Sequence, residues 1–332
     1  MEKNIQIRLA SRPKGWVKKS DFEIVESTLP SPDHGEVVVR NHWLSLDPYM
    51  RGRMSSAKSY ATPVKIGEVM TGATVGEIVS SKNKTFQEGM YVVGRLGWQK
   101  FSLSTGSDLV EINPDIVPVQ NYLGVCGMPG ATAWIGLIEI CNPKPGETVI
   151  VSAATGAVGS VVGQLAKLSG CRAVGIAGGP DKCEYAIKQI GFDACVDHKS
   201  ERLVERLEIA CPNGVDCSFE NVGGKIMDSV MNVLNPFSRI ALCGLISGYN
   251  ETEPYGMKMI RSILVNRVKM QGFIVFDRSD LYAKAIRKLV HWVSEGKIKY
   301  RETVVEGIEN APEAFIGMLK GANLGKQLVK IA

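Results

Sequence analysis

The stretch Val149–Ala166, VIVSAATGAVGSVVGQLA, decides how this chain folds. Its first part is rich in β-branched residues and is typical of a buried strand, whereas the residues from Gly159 onward follow a helical pattern. Glycines fall at and just beyond the junction, at 156, 159 and 163. A glycine-rich turn between a strand and a helix is the context that a dinucleotide-binding fingerprint requires.

Each glycine of this turn has a predicted role. Gly156 permits the tight turn, Gly159 lets the backbone approach a pyrophosphate, and Gly163 allows the helix to pack closely on the sheet. Alanine (Ala153) stands where the common form of the motif has its first glycine. The phosphates are expected at the helix N-terminus, where free N–H groups and the helix dipole favour an anion. A glycine-rich packing contact without a nucleotide is the alternative.

Short apolar runs alternate with helical segments from Gly146 to about Ile298, which predicts a doubly wound parallel sheet with helices on both faces. The predicted strands are Thr148–Ala153, Arg172–Ala177, Ala194–Asp197, Val215–Glu220, Arg239–Leu245 and Lys269–Phe276. The predicted helices are Gly156–Ser169, Lys182–Ile190, Glu201–Ala210, Lys225–Leu234, Tyr255–Val265 and Leu281–Glu295.

The first part of the chain follows a different pattern. Strand-like runs at Glu36–Arg40, Ala73–Val79 and Met90–Val93 are separated by Gly and Pro, which predicts a β-rich domain, a distorted barrel. Two further short strands near the C-terminus are expected to return to this domain. We therefore predict a substrate and catalytic domain over 1–121 and 299–332, and a dinucleotide-binding domain over 122–298.

Composition narrows the class of protein. The 332 residues carry a net charge of +5 without a dense basic block, so nucleic-acid binding has little support. The uncharged run between Glu147 and Lys167 is interrupted by glycine, serine and glutamine, which argues against a membrane span. The eight cysteines form no C-x-x-C pair and the N-terminus lacks the apolar core of a signal peptide, so we expect a reducing cytoplasm.

The end of the second predicted strand indicates which dinucleotide is bound. An NAD site usually has an acidic residue about 20 residues after the glycine turn. Here Gly178 and Gly179 occupy that region and Lys182 follows, which favours the 2′-phosphate of NADP(H). Asp181 is expected to cap the next helix instead. Lys182 as an ordinary solvated helix residue is the alternative.

A metal centre is not predicted. The first domain contains only His34, His42 and, after its end, Cys126 as strong zinc ligands, and no four-cysteine lobe is present. The Tyr-x-x-x-Lys pair of short-chain dehydrogenases is absent from the sequence as well. Chemistry on a bound substrate would therefore depend on positioned hydrogen-bond donors.

Four motifs carry a resemblance to a known family: Leu46–Arg51 (LDPYMR), Gly127–Thr132 (GMPGAT), Glu220–Gly224 (ENVGG), and Glu309–Phe315 (ENAPEAF) with Leu319–Lys326 (LKGANLGK). Together they resemble the zinc-free medium-chain reductases, in the leukotriene/prostaglandin reductase and plant double-bond reductase branch. The segments Ala177–Cys183 and Val196–His198 most resemble the bacterial NADPH-dependent curcumin reductases. The first domain would then be GroES-like.

The resemblance implies reduction of a C=C bond conjugated to a carbonyl, with hydride from NADPH. It implies nucleotide contacts from Pro48, Thr132, Gly156, Ala157, Val158, Gly159, Gly178, Lys182, His198, Asn221, Cys243, Gly244, Ser247, Tyr249, Phe273, Ile274, Val275 and Asn323. His198 departs from the family, which usually has tyrosine there. An imidazole could still reach a phosphate, or it could simply end the third strand.

Three tyrosines are candidates for substrate activation: Tyr49, Tyr60 and Tyr249. A neutral phenol can donate a hydrogen bond to a carbonyl oxygen as enolate charge develops, although each could equally be a packing residue. Tyr249 follows the fifth predicted strand, at the sheet edge where such folds bind ligands. Tyr60 has the least distinctive surroundings.

The activity and the assembly of the protein remain open at this point. The leading hypothesis is an NADPH-dependent reductase of enones, enals or curcumin-like compounds. A quinone oxidoreductase of the same superfamily, or a nucleotide-binding protein without activity, is the alternative. The apolar sixth strand, from Gln271 to Phe276, is expected at a sheet edge that could pair with a second copy in a homodimer.

Overall fold

In the computed structural model, the described residues are 3–331, and they divide into two compact units. The first unit comprises residues 1–124 and 302–332, and the second comprises 125–301. Each boundary lies three residues beyond the one predicted for the corresponding functional domain. The assignment of substrate and nucleotide roles to the two units stays a prediction.

The strands, in chain order, are β1 Asn4–Leu9, β2 Phe22–Ser27, β3 Val37–Ser45, β4 Thr74–Ser81, β5 Tyr91–Gly94, β6 Phe101–Ser104, β7 Leu109–Glu111, β8 Thr148–Ser152, β9 Arg172–Ala177, β10 Ala194–Asp197, β11 Val215–Glu220, β12 Leu234–Leu242, β13 Lys269–Gly272, β14 Glu302–Glu306 and β15 Lys326–Lys330.

The α-helices are α1 Tyr49–Arg53, α2 Met128–Trp134, α3 Gly159–Leu168, α4 Pro180–Tyr185, α5 Leu203–Ala210, α6 Gly224–Val230, α7 Arg261–Val265, α8 Ser279–Ser294 and α9 Ala311–Leu319. Helices α2 and α4 each continue into a π-helical turn, over Ile135–Cys141 and Ala186–Ile190. No helix within residues 3–331 is both long enough and apolar enough to cross a membrane.

The second unit contains a parallel sheet of six strands in the order β10-β9-β8-β11-β12-β13. This is the order of a doubly wound dinucleotide-binding sheet, so the predicted fold class is confirmed. Residues such as Ile150, Val174 and Ile240 from its strands are buried with apolar residues of α5 and α6. The strands read as continuous apolar runs because both faces of the sheet are covered.

The first unit is β-rich, as predicted. A mixed sheet runs β14-β15-β3-β4-β5-β7, with β6 also paired to β3, and its pairs are antiparallel except for β14 with β15. Strands β1 and β2 form a separate antiparallel pair, which the sequence patterns did not predict. The C-terminal strands belong to this unit, as expected.

Two predicted elements are only about half as long as expected. The sixth strand of the parallel sheet lies at its edge, as predicted, but ends at Gly272 because the chain turns into a 3-10 helix from Val275. The helix predicted from Tyr255 begins only at Arg261. The Asp228 carboxylate accepts hydrogen bonds from the Tyr255 hydroxyl and from the amides of Lys258 and Met259, which fixes that segment as a loop.

Candidate active site

The glycine turn lies directly between β8 and α3, at the carboxyl edge of the parallel sheet. Ala153 takes a left-handed backbone conformation with φ of 53°, and its carbonyl accepts a hydrogen bond from the Gly156 amide at 2.9 Å. A Cβ at Gly159 would lie 2.3 Å from that same carbonyl oxygen, so only glycine fits there. Glycine at this position therefore lets the turn pack tightly against the start of α3.

The third glycine permits close packing as predicted, but the contact is with Phe192, which precedes β10, and not with a strand of the sheet. A Cβ at Gly163 would lie 2.1 Å from the Phe192 ring, so this glycine lets α3 approach the aromatic side chain closely. Ala157 and Val158 are half-buried and immediately precede the helix. The N-terminus of α3 thus carries the positive end of a ten-residue helix, which favours an anionic ligand.

A basic cluster forms where β9 and β10 end. A Cβ at Gly178 would lie 2.9 Å from His198 Nε2, so glycine makes room for the imidazole. Partial burial and then the charge of Lys199 lower the pKa of Lys182, and partial burial together with both lysines lowers the pKa of His198. A Cβ at Gly178 would also lie 3.7 Å from Lys199 Cε, so the His198 and Lys199 side chains both lie beside the end of β9. An arrangement of this kind favours a doubly charged phosphate.

Asp197 fixes the backbone around this basic cluster. Its Oδ1 accepts hydrogen bonds from the amides of Gly179 and Lys199, at 2.8 and 3.0 Å. Helix α4 begins at Pro180 with Gly179 as its N-cap residue, so the expectation that Asp181 caps it is wrong. Asp181 lies in the first turn of the helix and is exposed.

Asn221 lies at the end of β11 and is held on both its main chain and its side chain. Its amide N–H donates to Ser152 Oγ, and its side-chain Nδ2 donates to the Ser152 carbonyl, each at 2.8 Å. The segment after β12 is bound to the same turn, because the Ser247 hydroxyl donates to the Val222 carbonyl at 2.6 Å. The structure thus brings the ends of β8, β11 and β12 together.

The predicted contacts after β12 surround this same point. The amides of Cys243 and Gly244 donate to the Glu220 carbonyl, at 2.9 and 3.1 Å. Burial, and then the charge of Glu220, raises the pKa of the Cys243 thiol to about 12, so this cysteine is a neutral thiol near pH 7. The Tyr249 hydroxyl lies 3.5 Å from the Leu245 amide nitrogen, which donates to it.

Other predicted contacts in the second unit have partners elsewhere. The Thr132 hydroxyl donates to the Met128 carbonyl one turn earlier in α2, at 2.7 Å. The Phe273 ring packs edge-on against Phe219 with a centroid separation of 6.2 Å, and it fills the space beside Gly136. Ile274 is extended and Val275 is buried at the start of a 3-10 helix. A nucleotide contact by any of these residues stays a prediction.

In the first unit, Arg53 brings two of the candidate tyrosines together. Its guanidinium lies over the rings of both Tyr49 and Tyr60, 5.7 and 5.1 Å from their centroids. Burial, followed by the Asp47 charge, raises the pKa of Tyr49, so its phenol stays protonated. Tyr60 is 60% exposed.

A buried ion pair fixes the turn that carries Pro48 and Tyr49. Lys326 Nζ donates to the Asp47 carboxylate at 2.9 Å and to the Leu46 carbonyl at 2.6 Å, and Ser45 donates to the other Asp47 oxygen. Burial lowers the pKa of Lys326, against the opposing effect of Asp47. The LDPYMR and LGK motifs are therefore in contact in the folded protein. Nearby along the chain, Asn323 donates to the Gly325 carbonyl at 2.7 Å.

Two structural features of the sites were not predicted. The buried Glu220 and the Asp47–Lys326 pair were part of family motifs, but no role was assigned to them. An acidic residue at the end of an apolar strand is the only signal that could have singled out Glu220.

Within residues 3–331, no group of three or more His, Cys, Asp and Glu side chains is placed to hold a metal ion. Metal-independent activity stays a prediction.

The sheet order and the glycine turn define a dinucleotide-binding fold. Comparison with known proteins shows to which family the chain belongs. A family model described as the N-terminal domain of oxidoreductase matches residues 5–112, and one described as zinc-binding dehydrogenase matches residues 157–291. The NADPH-dependent curcumin reductase of Escherichia coli is 46% identical over 100% of this chain and 98% of its own length.

Prostaglandin reductase 1 of Bos taurus is 45% identical over 95% of each chain. The crystal structure of CurA from Vibrio vulnificus in complex with NADPH superposes with a TM-score of 0.94, at 49% identity over 99% of each chain. The chain belongs to the medium-chain dehydrogenase/reductase superfamily, and within it to the branch of curcumin reductase-like enzymes.

Proposed function

We propose that this protein uses NADPH to reduce the C=C bond of α,β-unsaturated carbonyl compounds. The observation that carries this proposal is the 46% identity to an NADPH-dependent curcumin reductase over the whole chain. Enones, enals and curcumin-like compounds form the substrate class. The arrangement at the carboxyl edge of the parallel sheet supports the proposal independently, because ligands of doubly wound sheets bind at that edge.

The glycine turn fits the pyrophosphate of the cofactor. A side chain at Gly159 would collide with the Ala153 carbonyl oxygen at 2.3 Å, so glycine is required for the tight turn that leads into α3. The dipole of α3 adds favourable electrostatics at the same place. We assign the pyrophosphate contacts to the four residues Gly156, Ala157, Val158 and Gly159.

The basic cluster fits the 2′-phosphate that distinguishes NADPH from NADH. Burial and then the charge of Lys199 lower the pKa of Lys182, and burial together with the charges of Lys199 and Lys182 lowers the pKa of His198. A bound phosphate would relieve that repulsion and form charge-assisted hydrogen bonds. Gly178 contributes by leaving space for the His198 ring. Asn221, Cys243, Gly244 and Ser247 are assigned to the nicotinamide end because they converge around the end of β11.

When bound, NADPH supplies a hydride for the β-carbon of the enone. We assign to the phenols of Tyr49, Tyr60 and Tyr249 the role of donating hydrogen bonds to the substrate oxygen, where enolate charge develops. Tyr49 is suited to this role because burial and Asp47 raise its pKa and keep its proton in place. The proton that completes the α-carbon would come from one of these phenols or from water.

The direct test is NADPH oxidation with a panel of acceptors that contains an enone, an enal, curcumin and a benzoquinone. We expect turnover of the conjugated carbonyl compounds with NADPH, weak activity with NADH, and no effect of EDTA. Faster turnover of the benzoquinone would favour the quinone oxidoreductase alternative. No oxidation of NADPH with any acceptor would leave a nucleotide-binding protein without this activity.

Lys182→Ala should weaken the use of NADPH and leave the use of NADH unchanged. A hydrogen bond to a charged group contributes roughly 1.5–3 kcal/mol, so the KM for NADPH should rise about tenfold to a hundredfold. Steady-state kinetics with both cofactors measure the effect. Lys188→Ala is the matched control, because Lys188 lies in the next turn, is exposed and pairs with Glu184. Equal losses with NADPH and NADH would contradict the assignment.

We also propose a homodimer in the cytoplasm. Strand β13 is at the sheet edge, and Leu264 and Ile260 nearby along the chain are 78% and 63% exposed. An unpaired edge beside exposed apolar side chains favours association with a second copy. All eight cysteines are free thiols, which suits a reducing compartment. Light scattering at micromolar protein should give twice the chain mass of 36.1 kDa, and a monomer mass would count against the dimer.

A further inference from the structure

Glu220, the last residue of β11, is 1% exposed and lies at the centre of the carboxyl edge of the parallel sheet. Its Oε1 accepts three hydrogen bonds: from the Ser152 hydroxyl at 2.7 Å, the Val222 amide at 2.6 Å and the Gly223 amide at 2.8 Å. One carboxylate oxygen therefore joins the end of β8 to the turn that follows β11.

The hydrogen bonds continue from Glu220 to Asn221. The Ser152 hydroxyl donates to Glu220 and accepts from the Asn221 amide, and the Asn221 side chain donates to the Ser152 carbonyl. The turn is tight, since Gly223 has a φ of 74° and a Cβ there would lie 2.7 Å from the Leu245 side chain. The orientation of Asn221 thus depends on Ser152, which Glu220 holds.

The charge of Glu220 is not balanced in the usual way. Among residues 3–331, no Lys, Arg or His forms an ion pair with Glu220, and its second oxygen, Oε2, is buried without a hydrogen-bond partner. Burial raises the pKa of Glu220, and the hydrogen bonds from Gly223, Ser152 and Val222 oppose that effect. A buried polar atom without a partner destabilises the fold, so a residue of this kind points to a role beyond folding.

We propose that Glu220 is a positioning residue for cofactor binding: its Oε1 acts as the shared acceptor that holds Asn221 and the turn after β11 beside the glycine turn. This inference rests on the proposed function, because it concerns the loops assigned to NADPH. The Glu220 side chain acts through Ser152 and through the backbone of 222–223. It makes the binding surface rigid before the cofactor arrives, which reduces the ordering cost of binding.

The test compares three variants by titration of NADPH fluorescence without any acceptor. Glu220→Gln keeps the shape of the side chain and the Oε1 acceptor, so the Kd for NADPH should stay within about threefold of the original. Glu220→Asp withdraws the acceptor by one methylene, and Glu220→Ala removes it. Both should raise the Kd about tenfold or more, because donors left without an acceptor disorder the turn. Amide hydrogen exchange at 221–223 should accelerate in the same two variants.

Asp216→Ala is the matched control for stability. Asp216 lies on the same strand near its other end and also accepts from neutral donors, the Thr148 amide and the Asn235 side chain, each at 2.8 Å. Its loss should lower the unfolding temperature without changing the Kd for NADPH. Should Glu220→Ala fail to fold, Glu220→Asp and Glu220→Gln still provide the comparison.

Two results would overturn the inference. One is a Kd in Glu220→Asp and Glu220→Ala equal to that of the original protein, with unchanged exchange at 221–223. The other is an equal loss of affinity in Asp216→Ala, which would make the effect one of general stability. Failure of the proposed reaction would be seen separately, as tight NADPH binding by the unmodified protein without turnover of any acceptor.

Discussion

At the amino edge of the parallel sheet a carboxylate is paired with a cation, whereas at the carboxyl edge a carboxylate is buried with neutral donors only. Glu147 precedes β8 and accepts a two-point interaction from Arg239 of β12, with Nη1 to Oε1 at 3.0 Å. Glu220 ends β11 and accepts hydrogen bonds from a hydroxyl and two amides. The same sheet therefore uses two different ways to hold its strands.

The two carboxyl groups respond to these surroundings in opposite directions. Partial burial tends to raise the pKa of Glu147, but the hydrogen bonds from Arg239 and the Lys144 amide outweigh it, so the pKa is lowered. Complete burial dominates at Glu220 and raises its pKa. The amino edge is arranged for stability. The carboxyl edge, where such sheets bind ligands, keeps an arrangement that costs stability.

The difference between the two edges of the sheet is tested most strongly by Tyr249→Phe, because this variant removes one polar group from the carboxyl edge without altering the sheet. If the phenol donates to the developing enolate, the loss reduces kcat rather than only raising KM. A single donor of this type contributes roughly 2.7–4 kcal/mol, and partial replacement by solvent limits the expected fall in kcat to about tenfold to a hundredfold. Stopped-flow measurement of NADPH oxidation gives the rate.

Tyr255→Phe serves as the control for Tyr249→Phe. The Tyr255 hydroxyl donates to Asp228 at 2.7 Å, so this variant also loses a phenol hydrogen bond, but from a loop without an assigned role in the reaction. We expect its kcat to be unchanged. An unchanged kcat in Tyr249→Phe would make Tyr249 a packing residue, in agreement with its contact to the Leu245 amide.

At the amino edge, Glu147→Gln should lower stability and leave cofactor binding unchanged. The variant removes the charge that Arg239 contacts in two places, and a hydrogen bond between charged groups contributes roughly 1.5–3 kcal/mol to the free energy of unfolding. Urea unfolding measures the loss, and NADPH titration should show the original Kd. Glu184→Gln, which breaks the exposed pair with Lys188, should have no measurable effect. Weaker NADPH binding in Glu147→Gln would remove the distinction between the edges.

The parallel sheet could be predicted closely from local patterns. The predicted strands Arg172–Ala177, Ala194–Asp197 and Val215–Glu220 coincide with β9, β10 and β11. Their apolar runs are bounded by turn residues, and covering helices on both faces make such runs continuous. The glycine turn was equally clear, because its spacing and its place between strand and helix are both local properties.

The partners of the charged residues could not be predicted in this way. Asp47 and Lys326 are in contact although they lie far apart in the sequence. Glu147 pairs with Arg239 although the four strands β8 to β11 and the four helices α3 to α6 lie between them in the sequence. No local pattern indicates which distant group a carboxylate will meet. The prediction of a helix that begins at Tyr255 was wrong for a related reason. Asp228, from an earlier helix, holds its amides and overrides a helical pattern.

The smallest expected effect is the pH dependence of stability that Glu147 and Glu220 produce. It is also the most direct test of the difference between the two edges of the sheet. The folded pKa of Glu147 is lowered, so its contribution is fully present above the unfolded value of about 4.3 and is lost as the pH falls through the folded pKa. The folded pKa of Glu220 is raised, so the folded state is penalised progressively as the pH rises above about 4.3, and fully above the folded pKa.

Glutamine does not titrate, so each variant isolates the contribution of one carboxyl group. As the pH rises from 3.5 to 8, Glu147→Gln should become less stable relative to the original protein, and Glu220→Gln should become more stable relative to it. Since each change concerns one proton, neither slope can exceed about 1.4 kcal/mol per pH unit. Urea unfolding at a series of pH values provides both difference curves. Curves that slope in the same direction would mean that Glu220 is compensated by a charge, and the two edges would then be stabilised in the same way.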